Sequence, residues 1–263
     1  MTILGEIIAD KKVEVAIRKQ LFPYEYWEAS PVFERTTNSL AKELRASKSG
    51  IIAEHKRRSP SEQNINSSLS VIDVARGYED AGVCGMSVLT NGKYFGGSLE
   101  DLNIARAVTN FPLLRKEFII DEYQLIEAKA HGADVILLIA SVLTRKEIKR
   151  LSIFAQSLGL EVLLEVHNLE ELEKSIMPSL DLFGVNNRNL KTFEVDLNTS
   201  RTLVEKIPTD FVKISESGIS NSAAILELKT YGYEGFLVGE NFMKTNNPGA
   251  SANAFIKEIE DET

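Results

Sequence analysis

From residue 50 onward the chain alternates between two rhythms. Short runs of Val, Ile and Leu fall at 50–56 (GIIAEHK), 84–89 (CGMSVL), 112–117 (PLLRKE), 134–139 (DVILLI), 161–165 (EVLLE), 182–186 (LFGVN), 211–216 (FVKISE) and 235–239 (GFLVG). Apolar residues that are continuous rather than alternating predict strands covered on both faces, as in a parallel sheet. Between the runs, polar stretches with helical spacing lie at 71–81, 99–108, 121–131, 144–158, 168–176, 198–206, 220–231 and 249–261. Gly132 and Gly159, each two residues ahead of an acidic residue that opens a strand, mark helix-to-strand turns. Eight strand–helix units in this length predict an α/β protein of the (β/α)8 TIM-barrel type over 48–263. A doubly wound sheet rarely needs so many regular units.

Residues 1–47 read as an N-terminal helical extension that packs on the barrel or lids one end, all within a single domain of 1–263. Ile3, Leu4, Ile7 and Ile8 share one face of a helix over 3–19, LFPYEYWEASP (21–31) reads as an aromatic loop, and Ser39–Ala46 as a second short helix.

Composition narrows the function. The 263 residues are 43% hydrophobic and 26% charged, as in a globular chain with a sizeable core, and the formal net charge of −8 argues against a nucleic-acid binder. The one cysteine, Cys84, lies in an apolar run and reads as a buried hydrophobe. Charges interrupt the N-terminal apolar residues too often for a signal peptide or a membrane span, so the expected compartment is the cytoplasm.

Barrel enzymes place their chemistry at the C-terminal ends of their strands. The first strand runs into Glu54 and Lys56, the third into Arg115, Lys116 and Glu117, and the fifth into Glu165. The sixth ends in Asn186, Asn187 and Arg188, the seventh in Ser215, Glu216, Ser217 and Gly218, and the eighth in Gly239 and Glu240. Side chains alternate along a strand, so Glu54 and Lys56 share the face of Ile52, Lys116 that of Leu114, and Glu165 that of Leu163. If those apolar residues face the barrel, the charges do too, with His55 and Arg57 facing the helices. Arg115 and Glu117 read as salt bridges tying adjacent strands. Charges buried in a barrel mouth are costly unless they meet a ligand or one another. Two lysines, two carboxylates and an asparagine there suit acid–base chemistry on an anion. Ser217-Gly218 and Gly239, after the last two strands, fit a phosphate cradle of backbone N–H groups. No HExxH, CxxC, Walker loop or GxGxxG occurs, and His55, His131 and His167 have no ligand spacing, so no metal is expected.

IIAEHKRRSPS (51–61), SVLTNGKYFGGS (87–98), PLLRKEFIIDEYQ (112–124), LLEVHN (163–168), GVNNRNL (184–190), SESGIS (215–220) and FLVGENFM (236–243) resemble the indole-3-glycerol phosphate synthase family nearly end to end. The resemblance implies a lyase of tryptophan biosynthesis. Its substrate is 1-(2-carboxyphenylamino)-1-deoxyribulose 5-phosphate, which undergoes ring closure, loss of carbon dioxide and loss of water, without cofactor or metal. It further implies Lys116 as the general acid at closure and Glu165 as an acid–base carboxylate. Glu54 and Lys56 form a second pair, and which of Lys116 and Lys56 acts in which step stays open. Asn186 and Arg188 resemble substrate-positioning residues, Glu216 and Ser217 line the site, and Phe95 and Leu137 pack on the aromatic ring. Ser59, Gly218, Gly239 and the N–H of Glu240 match phosphate-binding positions. No nucleic acid or membrane partner is implied; non-covalent association with other tryptophan-pathway enzymes is.

The chain departs from the family pattern at Glu62-Gln63, where Lys-Gly is usual, and at Glu117, where Asp is usual. His55 stands where an aromatic is common, and the Glu240 carboxylate must turn away from any phosphate. A phosphoribosylanthranilate isomerase would want a Cys–Asp pair at strand ends, whereas Cys84 begins a strand. A barrel decayed to a binding module would not need Glu54, Lys56, Lys116 and Glu165 intact.

Overall fold

A computed structural model describes residues 2–190 and 192–262. Three helices come first: α1 (Ile3–Leu21), α2 (Tyr24–Glu28) and α3 (Leu40–Ala46). The strand–helix alternation then runs β1 (Ile51–His55), α4 (Val71–Asp80), β2 (Gly85–Leu89), α5 (Gly92–Phe95), α6 (Leu99–Val108), β3 (Leu113–Lys116), α7 (Glu122–Ala130), β4 (Val135–Ile139), α8 (Arg145–Ser157) and β5 (Glu161–Val166). It continues with α9 (Leu169–Ser175), β6 (Leu182–Asn186), α10 (Asn198–Leu203) with a 3₁₀ turn after it, β7 (Val212–Glu216), α11 (Ser222–Thr230), β8 (Gly235–Val238), α12 (Glu240–Met243) and α13 (Pro248–Asp261). The eight strands pair in parallel in chain order, and β8 returns to β1 through Ile52↔Leu237, closing the barrel.

Local sequence sets the helix ends. Asp121 and Gln124 form a capping box on α7, as do Thr144 and Glu147 on α8. Gly132 and Gly159 adopt φ of +83° and +74° after α7 and α8, a left-handed turn that glycine takes without a Cβ penalty. The barrel interior is filled by Ile52, Leu114, Leu137, Leu163, Ile214 and Leu237, as the alternation predicts. The alternate residues, such as Ala53, Val88 and Leu164, meet the helices.

The extension touches both ends of the barrel. Leu40 and Leu44 of α3 belong to the interior cluster and plug its N-terminal end, where a Cβ on Gly85 or Gly235 would come within 3.0–3.1 Å of them. At the opposite end, Ile3, Leu4 and Ile7 of α1 line the mouth. The aromatic segment is not all loop. α2 forms because tertiary contacts hold it: Trp27 Nε1 donates to the Tyr123 hydroxyl at 2.8 Å, and Trp27 lies 4.8 Å from the His131 ring.

The stretch joining α2 to α3 is bound to the barrel through Asp134. This fully buried carboxylate accepts from Arg35 at 2.5 Å, Arg106 at 2.9 Å, the Asn38 N–H at 2.7 Å and the Leu113 N–H at 2.8 Å. Removing one partner of a buried ion network strands the others, at a cost of about 3–5 kcal/mol. Asp134→Ala is expected to lower the urea midpoint by a corresponding amount while the folded fraction keeps its kcat. An unchanged midpoint would show that the extension is held by its apolar contacts alone.

Candidate active site

The C-terminal strand ends enclose a cavity of about 180 Å³. Its wall includes Glu54, Lys56, Ser59, Phe95, Lys116, Leu137, Glu165, Asn186, Arg188, Glu216, Ser217 and Glu240. Twelve of the fourteen residues singled out in the sequence therefore meet on one surface. Gly218 and Gly239 sit just behind it at the ends of β7 and β8. Gly218 has φ +78°, and a Cβ there would lie 2.3 Å from Val195; one on Gly239 would lie 2.8 Å from the Glu54 carboxylate. Gly218 is thus favoured by its left-handed backbone, and a side chain at Gly239 would have to displace Glu54, whatever either glycine binds.

The charges form a chain across the mouth. Lys56 Nζ lies 2.7 Å from Glu54, and Ser87 donates to the other Glu54 oxygen at 3.4 Å. Lys116 bonds directly to Glu216 and lies 3.6 Å from Glu165. Room for Glu216 comes from Gly184 on the neighbouring strand, where a Cβ would fall 2.1 Å from its Oε1. That oxygen is buried against Gly184 without a hydrogen-bond partner.

These contacts decide the protonation states. Burial alone would lower Lys116, but Glu216, Glu165 and Glu54 outweigh it and hold the ammonium above its usual range. Burial would raise Glu165; His167 and Lys116 instead hold it down at about 2. Glu54 is likewise depressed against burial by Lys56 and Lys116. Glu216 goes the other way: burial, with repulsion from Glu165 and Glu54, exceeds the pull of Lys116 and lifts it to about 7. One carboxylate is thereby held ionised and another is poised near neutrality, a separation of the kind that sets acid and base roles in proton-transfer enzymes.

Several residues near the site were not singled out in the sequence. Ile3, Leu4 and Ile7 supply part of the apolar wall, with Phe118, Leu190 and Phe193. Asn187 points away from the cavity, donating to Ser215 Oγ and to the carbonyls of Glu216 and Ser217, and so supports Ser217 at φ +68°. His167 lies beside Glu165, and its sequence signal was its parity with Leu163 and Glu165.

Other expectations are corrected. Arg115 does not tie strand to strand by an ion pair; it reaches Glu127 of α7 at 2.7 Å, touching β2 only through the Thr90 hydroxyl that follows it. Glu117 pairs with the buried Lys11 of α1 at 3.2 Å and accepts from Thr90 and Asn91, so the longer carboxylate serves structure. Arg188 spends a guanidinium N–H on the Phe193 carbonyl at 3.1 Å. Glu240 does turn aside, to Lys244 at 2.6 Å, and Glu62 lies 3.8 Å from the same lysine. His55 is buried beside Arg57 and Asp101, and burial lowers its pKa to about 4.

A closed barrel with interlocked ammonium and carboxylate groups at its mouth is a barrel enzyme equipped for proton transfer. A profile of the family described as indole-3-glycerol phosphate synthase matches residues 4–257. The chain belongs to this family of carboxy-lyases. The indole-3-glycerol phosphate synthase of Bacteroides thetaiotaomicron is 45% identical over 98% of this chain and 99% of the relative. That of Campylobacter jejuni subsp. doylei is 39% identical over 97% of this chain and 100% of the relative. Among solved structures, 3-hexulose-6-phosphate synthase from Salmonella typhimurium superposes with a TM-score of 0.62 at 14% identity, covering 81% of this chain and 100% of that one, a likeness of fold alone.

Proposed function

We propose that this site converts 1-(2-carboxyphenylamino)-1-deoxyribulose 5-phosphate to indole-3-glycerol phosphate. The observation that carries the reading is Lys116, an ammonium kept charged in a largely buried mouth between Glu216 and Glu165. Ring closure turns the sugar carbonyl into an alkoxide. An alkoxide is basic enough to take a proton even from an ammonium held above its ordinary pKa, and the charge stabilises it before transfer. Glu165, ionised beside Lys116, is the base that takes the proton released in dehydration. Lys56 and Glu54 flank the other side and supply the acid for the departing hydroxyl or the counter-charge for the substrate carboxylate.

The rest of the wall divides the substrate. Phe95 and Leu137 pack on the aromatic ring, and Phe118, 6.0 Å from Phe95, extends that surface. Asn186 and Arg188 position the sugar chain, with Glu216 and Ser217 beside it. The phosphate goes to Ser59 and the backbone N–H groups of Gly218, Gly239 and Glu240. Support for that end comes from α12, which opens at Gly239 with no side-chain cap, leaving N–H groups at its first turn to an anion. Among the described residues, no helix is long and apolar enough to cross a membrane. We place the chain in the cytoplasm, as its charge-interrupted N-terminus suggests; with a single cysteine, its fold draws no support from an oxidising compartment. Any contact with other tryptophan-pathway enzymes would be non-covalent.

Mixing the purified chain with this substrate in a chelating buffer should develop indole fluorescence, with one carbon dioxide released per indole. A silent mixture containing folded protein would overturn the reading.

The loop between β1 and α4 covers the phosphate end. Its ends are fixed: the Arg57 carbonyl accepts from Ile65 and Asn66, the Arg57 side chain holds Asp101 at 2.5 Å, and Asn66 donates to the Met243 carbonyl at 3.0 Å. The part of 57–66 left free to move is therefore its middle. Among the described residues, the N–H groups of Ser61, Gln63 and Asn64 have no partner. These amides are expected to exchange faster than those of the strands and to slow on phosphate binding. Strand-like protection of all three in the free protein would contradict a closing loop.

A further inference from the structure

We infer that His167 is a positioning residue for Glu165, completing a carboxylate–imidazolium–carboxylate chain that keeps the catalytic base ionised and aimed into the cavity. The inference rests on the proposed role of Glu165. Three contacts carry it. His167 Nε2 lies 3.3 Å from Glu165 Oε1, as an ion pair outside good hydrogen-bond geometry. Its Nδ1 lies 3.1 Å from Glu171 Oε2. The same Glu171 oxygen accepts the His167 backbone N–H at 2.9 Å, so one carboxylate on α9 fixes both the ring and the chain beneath it.

The imidazole therefore sits between two carboxylates with each ring nitrogen facing one, which favours the doubly protonated ring. His167 has only 10% of its side chain exposed, so water screens the arrangement little. The charged groups around the pair can be assigned element by element. Glu165 meets Lys116 from β3, which bonds Glu216 from β7, while His167 meets Glu171 from α9. Two cations thus bracket Glu165, one from inside the barrel and one from its rim. Lys116 cannot do this alone, because it is shared with Glu216 and because its proton or charge is drawn upon during ring closure. A fixed cation at His167 keeps Glu165 ionised through that step.

Burial alone would lower the imidazole, but Glu165 and Glu171 raise it to about 10, so the charge persists across the working range. Losing it should raise the Glu165 pKa by about one unit or more. The variant would then lose its base progressively as the pH falls, while the wild type would not. His167→Gln keeps a polar side chain without the charge; His167→Lys keeps the charge. With Glu165 held at about 2 in the wild type, a rise of one to two units should leave the kcat ratio of wild type to His167→Gln nearly flat above pH 5 and make it about two- to tenfold larger at pH 3 than at pH 6, read on protein that circular dichroism shows to be folded at each pH. The ratio to His167→Lys should stay nearly flat. A merely structural role would give a ratio independent of pH and no rescue by lysine, and that result would overturn the inference. Independently of any variant, NMR titration of the wild-type imidazoles should find one ring still protonated above pH 8, assigned to His167. A His167 titrating near the ordinary value of about 6.5 would also overturn it. Glu165→Gln separates the two readings. If it abolishes turnover while the His167 variants show no pH-dependent loss, only the positioning role falls; if it turns over normally, the role of Glu165 falls and this inference with it.

Discussion

Lys116→Met is expected to reduce kcat by at least about 10²–10⁴-fold, the range for a lost general acid, and by more where the charge itself stabilises the alkoxide. The barrel should stay folded, because the methionine stem can follow the path of the lysine stem and leaves no buried cation behind. The substitution does remove the one cation that Glu216 contacts among the described residues, so the Glu216 carboxyl, already lifted to about 7, should rise further and become neutral at working pH. Lys116→Arg divides the two ways a lysine can help. Arginine retains the charge but does not give up its proton in this pH range. Near-normal kcat in Lys116→Arg would assign the residue to charge stabilisation. A loss as deep as that of methionine, with KM little changed, would assign it to proton donation. Normal turnover by Lys116→Met would move the closing acid to Lys56, 2.7 Å from Glu54 on the opposite wall.

Glu165→Gln should be nearly as damaging, with a fall in kcat of about 10²–10⁴-fold, because the amide keeps the shape of the carboxylate but cannot accept a proton. The change should fall on kcat rather than KM if Glu165 acts in the chemical steps. Lys116, freed of one of its carboxylates, should see its pKa fall from its raised position. Accumulation of a decarboxylated, undehydrated intermediate in rapid-quench experiments would place Glu165 in the last step. Quantitative retention of kcat would show that its depressed pKa serves only to balance Lys116.

Much of this was legible in the residues because the relevant physics is local. A strand covered on both faces must be apolar throughout, so the eight Val/Ile/Leu runs located every strand to within a residue or two. The abrupt end of the apolar run at Glu54 marked where β1 reaches the barrel mouth, and the same change in β3 and β5 exposed Lys116 and Glu165. Parity then sent these side chains inward, as the interior cluster of Ile52, Leu114 and Leu163 bears out.

What stayed hidden depends on contacts between distant segments. α2 has no apolar stripe of its own and exists because Trp27 docks on Tyr123, 96 residues away. Arg115 and Glu117 face outward, and nothing in PLLRKE says that their partners stand on α7 and α1. Gly239 suggested an open approach for a phosphate, yet the space beside it belongs to Glu54. A glycine substitution there would disturb catalysis and binding together, so it is a poor probe of the phosphate end alone. His167 followed Glu165 at the right parity, but its meaning depends on Glu171 returning one helical turn later to fix the ring.

The assignment of the mouth is tested most directly by a crystal structure with a reduced substrate analogue that cannot cyclise. The expected complex has its phosphate within hydrogen-bond reach of Ser59 and the N–H groups of Gly218, Gly239 and Glu240. Its aromatic ring should lie between Phe95 and Leu137, and the oxygen replacing the sugar carbonyl should sit within about 3 Å of Lys116 Nζ. A phosphate bound elsewhere, or a carbonyl-equivalent oxygen facing Lys56 with Lys116 still held only by Glu216 and Glu165, would contradict it.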